Sequence, residues 1–182
     1  FFPQDTTMGK LKITAPKVIP EPGWTAIKSF PTYGEGQPFL SGDTESNRLR
    51  VAYFLREADG VVCARAWFGW AAQGPPGHAH GGSIATVLDE TMGVAVLCSG
   101  YLAVLASLTV QYREKVPLGT DTIVEAAVCL TERRKIYTHA TMRDQEDGRL
   151  FAEAEGLYVM QKLEQFGKMK DLPASLQKPA EE

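Results

Sequence analysis

The feature that most constrains this chain is a loop of glycine and proline that leads directly into a long apolar run. The loop, residues 74–82, reads Gly-Pro-Pro-Gly-His-Ala-His-Gly-Gly, and residues 83–98 carry only two charges, Asp89 and Glu90. Gly81 and Gly82 have no Cβ, so a ligand can approach their N–H groups closely. Those groups lie where a helix is predicted to begin, and unpaired N–H groups at a helix start favour negative charge. The sequence therefore predicts a functional site at this junction.

The predicted helix is apolar on almost every side. One face carries apolar residues at helical spacing: Ile84, Val87, Leu88, Thr91 and Ala95. Asp89 lies about 140° from Ile84 at about 100° per residue. The neighbours of Asp89 on its own stripe are apolar or small, and none is basic: Ala85, Met92, Gly93 and Val96. One side of the helix should therefore pack on its own sheet and the other on a second subunit, while Glu90 is expected to be solvated.

Strand-like runs flank this helix on both sides. They occupy residues 49–55 and 61–70 before it, and residues 102–113, 122–131, 136–143 and 150–160 after it. Asp59-Gly60 and Asp147-Gly148 mark tight turns between them. The order predicts an α+β domain in which an antiparallel sheet of about six strands wraps around one central helix.

The two ends of the chain differ from this middle part. Six of the eleven prolines precede residue 40, so residues 1–45 are predicted to be an extended arm. The folded domain is expected at residues 46–161 and a polar tail at residues 162–182. Four aromatic residues are candidates for holding the arm on the domain: Trp24, Phe30, Tyr33 and Phe39.

Charge, hydropathy and cysteine content exclude several classes. A formal net charge of −3 argues against a nucleic-acid partner. No uninterrupted apolar run reaches the roughly 18–20 residues that span a bilayer, so no membrane span is predicted. Cys63, Cys98 and Cys129 are widely separated and form no CxxC pair, which indicates neither a metal site nor disulfides. They are expected to be buried thiols in a reducing compartment, the cytoplasm or the mitochondrial matrix.

The junction resembles a known family. The His-Gly-Gly-Ser-Ile-Ala-Thr of residues 80–86, followed by Asp89, resembles the hotdog-fold acyl-CoA thioesterases, in the branch related to phenylacetate-pathway thioesterases. The preceding Gly-Pro-Pro-Gly of residues 74–77 is similar to mitochondrial thioesterase superfamily members. The resemblance covers residues 48–160.

The resemblance implies a fold, an assembly and a reaction. It implies a hotdog fold, paired as a homodimer with a continuous sheet and often assembled further, into a tetramer built as a dimer of dimers. It implies hydrolysis of an acyl-CoA substrate without a metal or a cofactor. Asp89 takes the role of general base or nucleophile, and the amides of Gly81 and Gly82 polarise the thioester carbonyl. His80 is assigned to the catalytic site, with a structural role in bonding the loop backbone as the alternative.

One departure from the family concerns the strand after the helix. Many relatives have Ser or Thr where this chain has Leu105, and that hydroxyl helps to orient the attacking water. Ser107 or Thr109 could substitute only if strand alternation aims them correctly.

Coenzyme A carries phosphates, so basic residues are expected near the site. Relatives carry an Arg-Lys pair at Arg134 and Lys135 and hold coenzyme A nearby, and guanidinium groups suit phosphate oxygens. The candidate substrate-binding residues are Arg113, Lys115, Arg134, Lys135, Tyr137 and Thr138. The alternative is that basic residues at strand ends are solvated surface.

Three function classes remain open at this stage. The first is an acyl-CoA thioesterase, the second a non-catalytic acyl-CoA or lipid-binding protein, and the third a hotdog dehydratase of hydroxyacyl thioesters. The residues that could line an acyl tunnel, or form core instead, are Trp67, Met92, Val96, Leu102 and Leu105.

Overall fold

The computed structural model describes residues 14–27, 32–33, 39–40, 47–162 and 169–170. The strands are β1 (Trp24–Ile27), β2 (Thr32–Tyr33), β3 (Leu49–Arg56), β4 (Val62–Phe68), β5 (Ala103–Tyr112), β6 (Asp121–Glu132), β7 (Lys135–Asp144), β8 (Leu150–Met160) and β9 (Met169–Lys170). A short 3-10 helix, Trp70–Ala72, precedes the long helix α1 (Gly81–Cys98).

Seven strands form one antiparallel sheet around α1. Their spatial order is β1-β3-β4-β6-β7-β8-β5, so β1 and β5 are its two edges, and β2 pairs separately with β9. Two strands before the helix and four after it were predicted, and all six are present. The predicted α+β hotdog architecture is confirmed, and β1 adds a seventh strand.

The core lies between α1 and the helix-facing side of the sheet. Strand alternation builds it: along β7 the buried residues are Ile136, Thr138, Ala140 and Met142. On α1 the predicted apolar face is buried, and Met92 and Val96 are buried as well. By length and composition α1 could also cross a membrane, yet it is the central helix around which this sheet wraps.

The N-terminal residues contribute more than an extended arm. β1 pairs with β3, with Ile27 opposite Tyr53, and the rings of Trp24 and Phe54 lie 5.7 Å apart. Phe39 is 82% exposed and therefore does not anchor the arm. Phe30 and the side chain of Tyr33 lie outside the described residues.

The prediction that all three cysteines are buried was wrong for two of them. Cys63 is fully buried, and burial raises the pKa of its thiol to about 11. Cys98 and Cys129 are exposed, because Cys98 ends α1 and Cys129 is the residue at the register shift of β6, between Val128 and Leu130. All three are free thiols.

Candidate active site

The loop before α1 is fixed by backbone hydrogen bonds. Ala79 N donates to Val116 O at 2.9 Å, and His80 N donates to Ala72 O at 2.8 Å. The loop also packs on itself: a Cβ at Gly74 would lie 2.7 Å from the Cα of His80. A residue larger than glycine at position 74 would displace His80, so the sequence of this loop sets where the helix starts.

His80 is the N-cap of α1. Its backbone is extended, and its Nδ1 accepts a hydrogen bond from Gly82 N at 2.9 Å. Ser83 Oγ donates to His80 O at 2.7 Å, so Ser83 supports the cap without being it. His80 therefore bonds the loop backbone, as the structural alternative for this residue expected.

The two glycine amides differ in availability. The N–H of Gly82 is taken by His80, whereas we find no acceptor for the N–H of Gly81 among the described residues. The Gly81 carbonyl accepts from Tyr112 Oη at 2.9 Å, which holds the first turn of α1 against β5. Of the two predicted oxyanion donors, Gly81 is therefore the one with a free hydrogen.

Asp89 lies in the middle of α1 and is half-buried. The hydroxyl of Tyr158, from β8, lies 2.9 Å from Asp89 Oδ1 and 2.8 Å from Asp89 O. Burial raises the pKa of the Asp89 carboxyl group, and the hydrogen bond from Tyr158 opposes part of that rise. Asp89 is thus partly desolvated yet still hydrogen-bonded.

Glu90 is not the solvated residue that was expected. It is half-buried, and burial raises the pKa of its carboxyl group, while the nearby Tyr53 hydroxyl opposes that rise and the charge of Asp89 adds to it. Tyr53 is 3% exposed and reaches α1 from the helix-facing side of β3. Helical position alone missed this pairing, because the partner comes from a distant strand.

Within one chain, the start and the middle of α1 are well separated. Asp89 lies eight positions after Gly81, a distance of about 12 Å along the helix axis at 1.5 Å per residue. The same separation appears along the sheet. Gly81 is held by Tyr112, which pairs with Ala152 near the start of β8, and Asp89 is held by Tyr158 near its end.

The predicted basic residues Arg134 and Lys135 lie at one end of β8, and Arg113 lies at the other. Arg134, in the β6–β7 turn, donates to Met160 O at 3.0 Å, and Lys135 pairs with Val159, so both are at the Tyr158 end. Arg113 lies at the other end, where its Nε donates to Glu153 Oε1 at 2.8 Å.

The other predicted binding residues differ in exposure. Lys115 is exposed and Tyr137 is half-buried. Thr138 is 3% exposed, and its hydroxyl contacts Met92 Sδ at 3.1 Å and Gly156 O at 3.2 Å. Thr138 therefore packs β7 against α1, and its buried hydroxyl is not placed to touch a substrate.

A bulge in β5 settles which side of the sheet its hydroxyls face. The register shifts between Leu105 and Ser107, and Leu105 packs against the core. Ser107 and Thr109 are exposed and alternate with core-packed Leu108 and Val110. They therefore face away from α1 and cannot substitute for the missing hydroxyl.

Most of the residues that could have lined an acyl tunnel or formed core are buried. Trp67, Met92 and Val96 are buried in the domain. A cavity of about 480 Å³ opens instead beside the start of α1. Its lining includes Leu40, Leu49, Gly82, Ser83 and Thr86. In the part of the chain that the structure describes, no group of three or more His, Cys, Asp or Glu side chains could hold a metal ion.

The fold and the half-buried carboxylate on its central helix define a hotdog-fold protein. Residues 76–151 match the Thioesterase superfamily model. Solved structures share the fold. A thioesterase superfamily protein superposes with a TM-score of 0.57 at 33% identity, over 60% of this chain and 53% of that one. Zebrafish thioesterase superfamily member 2 gives 0.56 at 21% identity, over 61% and 81%.

Sequence relatives include the acyl-coenzyme A thioesterase THEM4 from two species. The Xenopus laevis protein is 40% identical over 89 residues, which are 48% of this chain and 39% of that protein. The Mus musculus protein is 28% identical over 125 residues, or 69% and 54%. The chain thus spans about half the length, or less, of these relatives.

Proposed function

We propose that this protein is an acyl-CoA thioesterase, which hydrolyses an acyl-CoA to a free acid and coenzyme A. The observation that carries the proposal is Asp89, a half-buried carboxylate on the central helix of a thioesterase superfamily domain. The curated relatives named acyl-coenzyme A thioesterase support the choice of substrate.

The chemistry assigned to Asp89 is base or nucleophilic catalysis. As a base, it accepts a proton from water while the water oxygen bonds to the thioester carbonyl carbon. The C–S bond then breaks, and the proton passes to the departing sulfur of coenzyme A. As a nucleophile, its carboxylate bonds to the carbonyl carbon, the C–S bond breaks, and the thiolate of coenzyme A leaves and takes a proton from solvent. Water then hydrolyses the resulting mixed anhydride to the free acid and regenerates Asp89. A raised pKa makes the carboxylate a better proton acceptor in the first route and a stronger nucleophile in the second, and neither route needs a metal or a cofactor.

The negative charge that develops on the carbonyl oxygen requires a preorganised donor. The open N–H of Gly81, at the start of α1, is the proposed donor. It lies about 12 Å from Asp89 of the same chain, whereas one reacting carbonyl needs both groups within about 3 Å. We therefore propose that each site combines Gly81 of one chain with Asp89 of another.

The edge strand β5 supports a homodimer. It is ten residues long and pairs within the described sheet only with β8. A long unpaired edge is a template for another strand, so a second copy added there would extend the sheet. A tetramer would then form as a dimer of such dimers.

A complementation experiment tests the two-chain site. Gly81→Pro removes the N–H at the first helical position, where proline is tolerated, and Asp89→Asn removes the base. Each variant alone should be nearly inactive. Mixed by co-expression, half of the dimers would be heterodimers with one intact site of two, so about a quarter of wild-type activity should return. No recovery in verified heterodimers would place the site within one chain.

The phosphates of coenzyme A are assigned to Arg134 and Lys135, with Tyr137 beside them. These residues share the Tyr158 end of β8, which is also the end that holds Asp89. Arg113 is already paired with Glu153, so its charge is partly neutralised. Three free thiols support a reducing compartment, and we propose the cytoplasm or the mitochondrial matrix.

A second candidate function is acyl-CoA binding without hydrolysis. Leu105 has no hydroxyl, and those of Ser107 and Thr109 face away from α1, so none of the three orients the attacking water. This absence favours binding without hydrolysis. A thiol-release assay on acyl-CoA substrates from acetyl to palmitoyl, with aryl-acetyl included, separates the candidates. Release of coenzyme A that vanishes in Asp89→Asn supports hydrolysis. Saturable binding without release supports the second function, and loss of water from a hydroxyacyl-CoA would indicate a dehydratase.

A further inference from the structure

We infer that Tyr158 is the positioning residue for Asp89, and that its single hydroxyl serves the carboxyl group in both protonation states. The inference rests on the proposed function. Its geometric basis is that one hydroxyl lies within hydrogen-bond distance of two oxygens of the same residue, 2.9 Å from Oδ1 and 2.8 Å from the main-chain O.

The hydroxyl remains a donor throughout the neutral pH range. Tyr158 is 3% exposed, and burial, followed by the charge of Asp89, raises the pKa of its phenol well above the ordinary value. A tyrosine hydroxyl carries one hydrogen and can also accept hydrogen bonds. At any moment it can therefore donate fully to only one of the two Asp89 oxygens.

The two oxygens match the two states of a base. When Asp89 is ionised, the hydrogen goes to Oδ1, since a charged acceptor forms the stronger hydrogen bond. When Asp89 has taken a proton, its carboxyl O–H can donate to the hydroxyl oxygen, and the tyrosine hydrogen turns to the main-chain O. Proton uptake would thus rearrange two hydrogens and leave the heavy atoms in place.

The packing around Tyr158 holds the ring against the helix. A Cβ at Gly156 would lie 3.0 Å from Tyr158 Cε2, and one at Gly93 would lie 3.7 Å from the hydroxyl. The ring therefore approaches α1 between two positions that lack side chains, which fixes the hydroxyl beside Asp89.

Other titratable groups near Asp89 do not offer the same contact. Glu90 is the next residue on α1. Burial, followed by the charges of Glu90 and Asp89, raises the pKa of the Tyr53 phenol, on β3. Among the described residues, Tyr158 is the one group that favours the ionised form of Asp89, and no cation acts on that carboxyl group.

Tyr158→Phe tests the inference, because it removes only the hydroxyl. We expect kcat for acyl-CoA hydrolysis to fall about 10-fold or more with KM changed less than about twofold, as for loss of a hydrogen bond to a charged group. The acidic limb of the kcat/KM profile should move to higher pH, since the ionised carboxylate loses its donor. Tyr101→Phe is the matched control, because Tyr101 is also partly buried against the core, and its hydroxyl makes no hydrogen bond within the described residues.

A second variant guards against a folding defect. Tyr158→3-fluorotyrosine keeps the ring and has a more acidic hydroxyl, so the acidic limb should move in the opposite direction, to lower pH. Carbon-13 NMR titration of Asp89 in the wild type and in the two Tyr158 variants should show the same pKa shifts, and this measurement does not depend on activity.

The outcomes separate the inference from the function it rests on. Wild-type protein that releases no coenzyme A would refute the proposed function. Active wild-type protein with an unchanged acidic limb and an unchanged Asp89 titration in both Tyr158 variants would overturn the inference alone.

Discussion

The first turn of α1 and its middle belong to one helix but present opposite chemical environments. At the start, Gly81 offers a backbone N–H at an exposed loop, and His80 caps the turn. In the middle, Asp89 and Glu90 are half-buried, and each faces a buried tyrosine from a different strand. The start favours negative charge, whereas the middle makes negative charge costly.

The contrast explains how one helix could supply both parts of a hydrolytic site. An oxyanion donor must be accessible and fixed, and a general base must be partly desolvated. These requirements conflict at a single point of a helix. Their separation by about 12 Å keeps them compatible within one chain, and under the proposed function a second copy completes the site.

The largest expected effect concerns the two adjacent carboxylates. Asp89→Asn should lower kcat for acyl-CoA hydrolysis by about 10²- to 10⁴-fold, the range for loss of a general base. Glu90→Gln, the matched control, should lower it by less than about 10-fold, because Glu90 projects about 100° around the helix from Asp89, toward Tyr53. Steady-state thiol release measures both, and a larger loss in Glu90→Gln would exchange their assignments.

The next effect concerns the start of the helix. Gly81→Pro should reduce kcat by about 10²- to 10³-fold, since one oxyanion donor is lost. Gly81→Ala retains the N–H, and its Cβ would meet Tyr112 at an ordinary 3.5 Å, so it should keep most of the activity. Equal losses in the two variants would show that the N–H is not the important group.

A smaller effect is expected at the β6–β7 turn. Arg134→Ala should raise KM about fivefold with little change in kcat, as for loss of one exposed phosphate contact. Arg113→Ala serves as the comparison and should change KM less, because Glu153 already pairs with Arg113. An unchanged KM in Arg134→Ala would remove this residue from the binding site.

The two parts of α1 should also respond oppositely in stability. His80→Ala removes the N-cap and should reduce the free energy of unfolding by about 0.5–2 kcal/mol. His80→Asn, which can accept the same hydrogen bond from Gly82, should recover most of that loss. Chemical denaturation of the three proteins measures the difference.

Asp89→Asn should instead stabilise the protein at neutral pH. Burial raises the pKa of Asp89 in the folded protein. Between the ordinary pKa of about 4 and the folded pKa, the native state binds more protons than the unfolded state. The free energy of unfolding therefore falls as pH rises through that window. The neutral variant escapes this loss. Its melting temperature should exceed that of the wild type at pH 7, and the gain should disappear below about pH 4. A gain independent of pH would point to a cause other than this charge.

The fold could be predicted from local pattern. The strand-like runs, the turns at Asp59-Gly60 and Asp147-Gly148 and the apolar run of residues 83–98 predicted six strands and one helix in the right order. The strand β1 was missed, because four residues inside a proline-rich segment show no period and their pairing with β3 is a long-range contact. The same limit explains Cys98 and Cys129, whose exposure depends on where α1 ends and where β6 bulges.

What the sequence alone determined was the start of the helix and the position of its carboxylate, because both follow from residues adjacent along the chain. Tertiary structure decided what surrounds them. It occupied the Gly82 amide through His80, turned Ser107 and Thr109 away through a bulge, and brought Tyr158 to Asp89 and Tyr53 to Glu90 from strands distant in sequence. Hydrogen bonds and burial depend on such distant contacts, so the protonation behaviour of the site is a property of the fold.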